Sequence, residues 1–104
     1  MAIVHRRIFY GKVGMASPLV DHMRAGDQIL AKHGARFPSR ILTDDMTGRS
    51  DRVVVEWEME SISDMSTALE QVMANSEGQA EMSQWMDKLA TLIEYADGEN
   101  WAIH

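Results

Sequence analysis

The sequence contains no cysteine. That excludes a disulfide framework, a thiolate nucleophile and a cysteine-ligated metal, and it suits a reducing, cytoplasmic setting. Long apolar runs are missing as well. The N-terminal Met-Ala-Ile-Val-His-Arg-Arg carries no stretch long enough for a signal peptide or a membrane span, so no membrane partner is expected. Positive charge is scarce: 10 Lys and Arg stand against 16 Asp and Glu, a formal net charge of −6. An acidic chain is poorly suited to a phosphate backbone, and His5-Arg6-Arg7 is too short to reverse this, so no nucleic-acid partner is expected. A Gly-rich phosphate loop, a Gly-x-Ser-x-Gly elbow and a nucleotide fingerprint are also absent.

What is present specifies a fold. The 104 residues suit one domain, 1–104, with a core that a second copy would enlarge. The clearest element is Val53 to Glu60, with period two. Val53, Val55, Trp57 and Met59 point one way, and Val54, Glu56, Glu58 and Glu60 the other. Ile3 to Val13 is an earlier strand with large apolar groups on both faces. Ser17-Pro18 starts a helix, as N-cap and first helical residue, and Gly34 stops it. Arg36 to Thr43 is a strand whose Pro38 predicts either an edge position or a bulge. Asp44-Asp45-Met46-Thr47-Gly48 reads as a hairpin turn. Ser61 and Ser63 compete to cap the next helix, which Asn75-Ser76-Glu77-Gly78 interrupts. A further helix carries Met82, Trp85, Met86, Leu89, Leu92 and Ile93 at helical spacing. Asp97-Gly98 is a turn, and Asn100 to Ile103 a short last strand. The order is that of a ferredoxin-like βαββαβ α+β fold: a four-stranded antiparallel sheet, strands one and three central, helices on one face. The two-sided apolar first strand predicts a second subunit on the other face.

Two stretches carry a family likeness. Arg7-Ile8-Phe9-Tyr10-Gly11-Lys12-Val13-Gly14-Met15 resembles the first-strand signature of NIPSNAP-type proteins, an Arg-x-aromatic strand ending at a Lys-x-Gly turn. Val54-Val55-Glu56-Trp57-Glu58-Met59-Glu60-Ser61, with two helices after it and Trp85 on the second, is similar to the same family's third strand and its succeeding helices. Met59 stands where that family usually has an aromatic, and Arg6 where it is usually apolar. The resemblance implies a dimeric α/β barrel, in which two ferredoxin-like subunits pack sheet to sheet. It implies no catalytic residues, and fold alone does not choose an activity.

Several side chains could carry chemistry. His5, Arg7 and Phe9 share one face of the first strand. If Glu56 and Glu58 lie on the same side, the five form a ligand-binding cluster on the uncovered sheet face; otherwise they are cross-strand ion pairs. Histidine changes charge near neutral pH and arginine grips an anionic oxygen bidentately, so His5 is the candidate catalytic base. His22 and His33, three helical turns apart, are too distant to hold one metal and read as partly exposed; no metal site and no cofactor are expected. Trp57, Trp85 and Trp101 are either an aromatic wall around a ligand or core and interface residues. The nine methionines either fill the core or form an adaptable binding surface. The expected function is a homodimer binding a small, partly apolar organic molecule in the barrel cavity. The alternatives are a cofactor-free monooxygenase or oxidoreductase acting on an aromatic or polyketide-like substrate, and a structural or interaction module.

Overall fold

The period-two run and its partners build the sheet of the computed structural model, which describes residues 2–45 and 50–104. In chain order the elements are β1 (Ile3–Gly11), α1 (Ala16–Lys32), β2 (Ser39–Thr43), β3 (Arg52–Met59), α2 (Asp64–Met73), α3 (Ser76–Leu92) and β4 (Ile93–Ala102). The sheet order is β2-β3-β1-β4, every pair antiparallel, so β1 and β3 are central as the sequence predicts. The molecule is 17 Å thin in its shortest dimension, the depth of one sheet and one helical layer.

Register assigns the faces. Ile3, His5, Arg7 and Phe9 of β1 lie opposite Met59, Trp57, Val55 and Val53 of β3, and opposed residues point to the same side. Phe9, Val53 and Val55 pack with Leu19 and Met23 of α1 and with Leu89 and Leu92 of α3, so this is the helix-covered face. A smaller cluster of Leu30, Ala68 and Val72 joins α1 to α2, with Met82 of α3 against it. The alternate residues, among them Val4, Arg6, Ile8, Tyr10, Val54, Glu56 and Glu58, face the side without helices.

Five boundaries differ from the sequence reading, three of them where a distant group supplies what local sequence does not. Helix α1 begins at Ala16, so Ser17 and Pro18 lie within its first turn and Ser17 is not the cap. The Ala16 amide donates instead to the Asp51 carboxylate, 3.3 Å away. Strand β1 ends at Gly11, whose amide donates to the Asp51 carbonyl at 3.0 Å. The interruption between α2 and α3 is present but shorter than expected, at Ala74 and Asn75; Ser76, Glu77 and Gly78 are already the first turn of α3, because Asn75 is its N-cap and accepts from the Gly78 amide at 2.8 Å. Asp97 and Gly98 are mid-strand: β4 pairs with β1 from Ala102 to Ile93, and that ladder overrides their turn propensity. Strand β2 starts at Ser39, and Pro38 lies just before it at the edge, its carbonyl accepting from the Glu58 amide at 2.9 Å. Met46, Thr47 and Gly48 of the predicted hairpin turn lie outside the described residues.

Candidate functional site: an apolar cavity between helices and sheet

A cavity of about 220 Å³ opens between the helix-facing side of the sheet and the three helices. Its floor is strand residues, His5, Arg7 and Phe9 of β1 and Trp57 of β3. Its roof is mostly thioether and indole: Met23 from α1, Met65 from α2, and Met82, Trp85 and Met86 from α3. The helical period delivers these residues inward, and methionine's flexible side chain adapts to varied contents. Gly26 lets α1 approach Trp85, since a Cβ there would lie 3.1 Å from the indole. The lining is apolar except at a few polar groups, which is the usual makeup of a small-molecule site.

Those polar groups are individually oriented. The His5 ring stacks on Trp57, centroids 5.7 Å apart, and its Nδ1 is 2.8 Å from the Asn100 Oδ1 directly across on β4. A side-chain oxygen accepts, so Nδ1 carries the proton and Nε2 is the nitrogen left over. The Arg7 guanidinium lies over the Phe9 ring, 5.9 Å from its centroid. Gly98 stands opposite Arg7 on β4, and a Cβ there would lie 3.5 Å from a guanidinium nitrogen, in ordinary contact with it. Asp27 of α1 accepts from Trp57 Nε1 at 2.8 Å and from the Ser39 hydroxyl at 2.9 Å, tying α1 to β3 and β2.

The structure separates the five sequence candidates. His5, Arg7 and Phe9 come together in the cavity. Glu56 and Glu58 are on the opposite side of the sheet, because the residue facing His5 across the ladder is Trp57 and the one facing Arg6 is Glu56. The joint cluster on the uncovered face therefore does not form, and the group that does form is beneath the helices. Glu56 is instead the centre of a charge row crossing all four strands. Arg40 Nε on β2 is 2.6 Å from one oxygen, Arg6 Nε on β1 is 3.0 Å from the other, and Arg6 reaches Glu99 on β4 at 3.6 Å. Glu58, with Val4, Pro38, Ser39 and Arg40, borders a polar depression of about 370 Å³ on this uncovered face.

The charge row has a pH signature. The hydrogen bond from Arg40 holds the Glu56 carboxyl below its ordinary value of 4.5, helped by the nearby Arg6 charge and opposed by burial. A folded-state value below the unfolded one stabilises the fold above the unfolded value, and that contribution is lost as the pH falls through the folded value. The stability difference between wild type and Glu56→Gln should hold steady above pH 4.5 and shrink below it, read from urea midpoints.

His22 is more enclosed than the sequence suggests, whereas His33 is partly exposed. His22 is buried, stacked on Trp85 at 4.5 Å. Its Nε2 lies 2.8 Å from the Trp85 carbonyl, while Trp85 Nε1 donates to the His22 carbonyl at 2.8 Å. Burial pushes its imidazole below its ordinary value. His33 Nε2 is 2.9 Å from Glu81, and Lys32 pairs with Glu81 and Glu77, fastening the end of α1 to the start of α3. Of the tryptophans, Trp57 and Trp85 line the cavity, whereas Trp101 is on the uncovered face, 57% exposed. Asp27 and Asn100 are the polar site residues that sequence reasoning missed. Asp27 alone had a usable signal, a carboxylate one residue from Gly26 on the stripe of α1 that faces the sheet.

No protein-family model matches the chain, and no curated protein does. Solved structures do match it. A NIPSNAP family protein from Agrobacterium tumefaciens superposes with a TM-score of 0.76 at 20% identity, covering 100% of this chain and 94% of that one. An uncharacterised NIPSNAP domain protein from Burkholderia xenovorans gives 0.75 at 18% identity, with 98% and 94% covered. A cofactor-independent oxygenase from Streptomyces nogalater gives 0.68 at 9% identity, with 99% and 93% covered. At such low identities the likeness is one of fold. This chain has the ferredoxin-like fold of NIPSNAP family proteins, a fold it also shares with oxygenases of the antibiotic-biosynthesis type.

Proposed function

We propose that this NIPSNAP-like protein binds a small, partly apolar organic molecule in the cavity between its helices and its sheet. The observation that carries this reading is the methionine- and tryptophan-lined space with oriented polar groups on its floor. Its 220 Å³ lies below the roughly 300–1,000 Å³ of drug-sized clefts, which fits a ligand of one or two rings. The test is amide NMR titration with naphthalene as a neutral apolar probe. Shifts are expected to concentrate at Trp57, Met65 and Trp85, and to vanish in Met82→Trp, which fills the space. Equal binding to Met82→Trp would refute the reading.

The binding unit is a homodimer joined through the uncovered sheet face, in a cytoplasmic protein. Apolar groups on that face support this: Val4, Ile8, Val54, Leu42, the stacked Tyr10 and Tyr95, and exposed Trp101. Light scattering at micromolar concentration should give twice the chain mass, and Trp101→Glu should halve it while leaving the circular dichroism spectrum unchanged. A wild-type monomer would overturn the dimer. Among the described residues no helix is long and apolar enough to cross a membrane.

A second reading, a cofactor-free oxygenase, is favoured by one observation. Asn100 fixes the protonated nitrogen of His5, so Nε2 could take the proton of an electron-rich phenol beside Trp57. Oxygen uptake with such a phenol, lost in His5→Ala, would support it; uptake unchanged by that substitution would remove His5 from the role.

A further inference from the structure

Among the described residues, the cavity holds a cation that no carboxylate contacts. Arg7 is half-buried on the cavity floor, between His5 and Phe9 along β1. Its neighbours across the ladder are Val55 on β3 and Gly98 on β4, neither of which carries an acceptor side chain. Among the described residues its side-chain partner is the Phe9 ring, and no carboxylate pairs with it. The contrast with adjacent Arg6, which pairs with Glu56 and Glu99 on the other face, is direct. Asp27, the carboxylate of the cavity, already accepts from Trp57 and Ser39. A guanidinium has five N–H donors in a fixed fork that matches a carboxylate.

We infer that the cavity selects a small arene carboxylate, its two oxygens gripped by Arg7, its ring between Trp57 and the methionine roof. This rests on the cavity-binding reading above and adds the charge and class of the ligand. His5 lines the same cavity floor, next to Arg7 on that face of β1. Bulk electrostatics work against any anion, since the chain carries −6, so a preference for anions has to come from a local cation.

The test uses matched pairs of probes: benzoate and benzamide, cinnamate and cinnamamide, 1-naphthoate and 1-naphthamide, titrated by calorimetry at ~0.15 M salt, where long-range attraction is screened. Wild type should bind at least one acid about tenfold more tightly than its amide, the worth of a charge-assisted bidentate contact. Arg7→Gln and Arg7→Met should both abolish that preference, weakening the acid more than the amide; the second keeps the apolar stem over Phe9 should the first fold poorly. Arg6→Gln, altered on the opposite face, should keep the preference. Equal affinity for acid and amide in wild type overturns the carboxylate assignment and leaves cavity binding standing. So does binding of naphthalene without binding of any acid. A preference that survives both Arg7 substitutions overturns the role of Arg7. Failure of every probe, naphthalene included, overturns this inference and the cavity reading together.

Discussion

Gly78→Ala is expected to cost about 3 kcal/mol or more, lowering the melting temperature by over ~10 °C in thermal circular dichroism. Gly78 sits in the first turn of α3, where the chain doubles back from α2. A Cβ at this position would lie 1.8 Å from the Val72 carbonyl oxygen, 2.8 Å from the Val72 carbonyl carbon, and 3.2 Å from the His33 ring. Backbone atoms in the last turn of a helix have no rotamer into which to retreat, so the corner must open. Opening it strains the Asn75 cap and separates Glu77 and Glu81 from Lys32 and His33. Gly14→Ala is the control. Gly14 has φ +82° and open space around its Cβ position, so it loses only the backbone preference, about 1 kcal/mol. Equal effects of the two substitutions would show that the corner relaxes and that close approach is not what Gly78 provides.

Trp57→Ala is the second large effect, about 3–5 kcal/mol of stability together with loss of naphthalene binding. The indole joins the main core, stacks on His5, and donates to Asp27. Its removal enlarges the cavity while taking away one wall, frees the His5 ring, and leaves one Asp27 oxygen without its donor. Trp57→Phe separates these roles. A ring remains against His5, so the cost should fall to about 1 kcal/mol, the value of the lost hydrogen bond, because Asp27 keeps Ser39. Probe affinity should then fall only slightly. Urea titration gives the first quantity and calorimetry the second. A phenylalanine variant as weak in binding as the alanine variant would mean that the Asp27 bond, rather than the aromatic wall, shapes the site.

Local features of the fold were legible from the residues. The alternation of Val53 to Glu60 is a property of consecutive residues, and β3 took that form, with Val53, Val55 and Trp57 beneath the helices. Helical spacing placed Leu89 and Leu92 in the core, Pro38 was rightly read as an edge marker, and Gly34, with φ +96°, ends α1 as expected. Three of the misplaced boundaries depend on distant partners. Asp51 caps α1 from 35 residues away, and β1 holds Asp97 and Gly98 straight. Gly98 reads as a turn residue until its neighbour across the ladder is known to be Arg7.

The site divides in the same way. That His5, Arg7 and Phe9 share a side was determined by the sequence alone, because successive side chains of a strand alternate. Which side Glu56 and Glu58 share with them was not, because a shift of one residue in the pairing of β1 with β3 moves a whole row to the other face. Register is set by the packing of the whole fold, by which rows find apolar partners under the helices and which find charges across the sheet. The acidic row met Arg6 and Arg40, and the cavity kept Arg7 without a carboxylate partner among the described residues. The sequence by itself determined the elements, their order and the two faces of each strand. Only the tertiary structure decided which faces meet, since that choice rests on contacts between residues far apart in the chain.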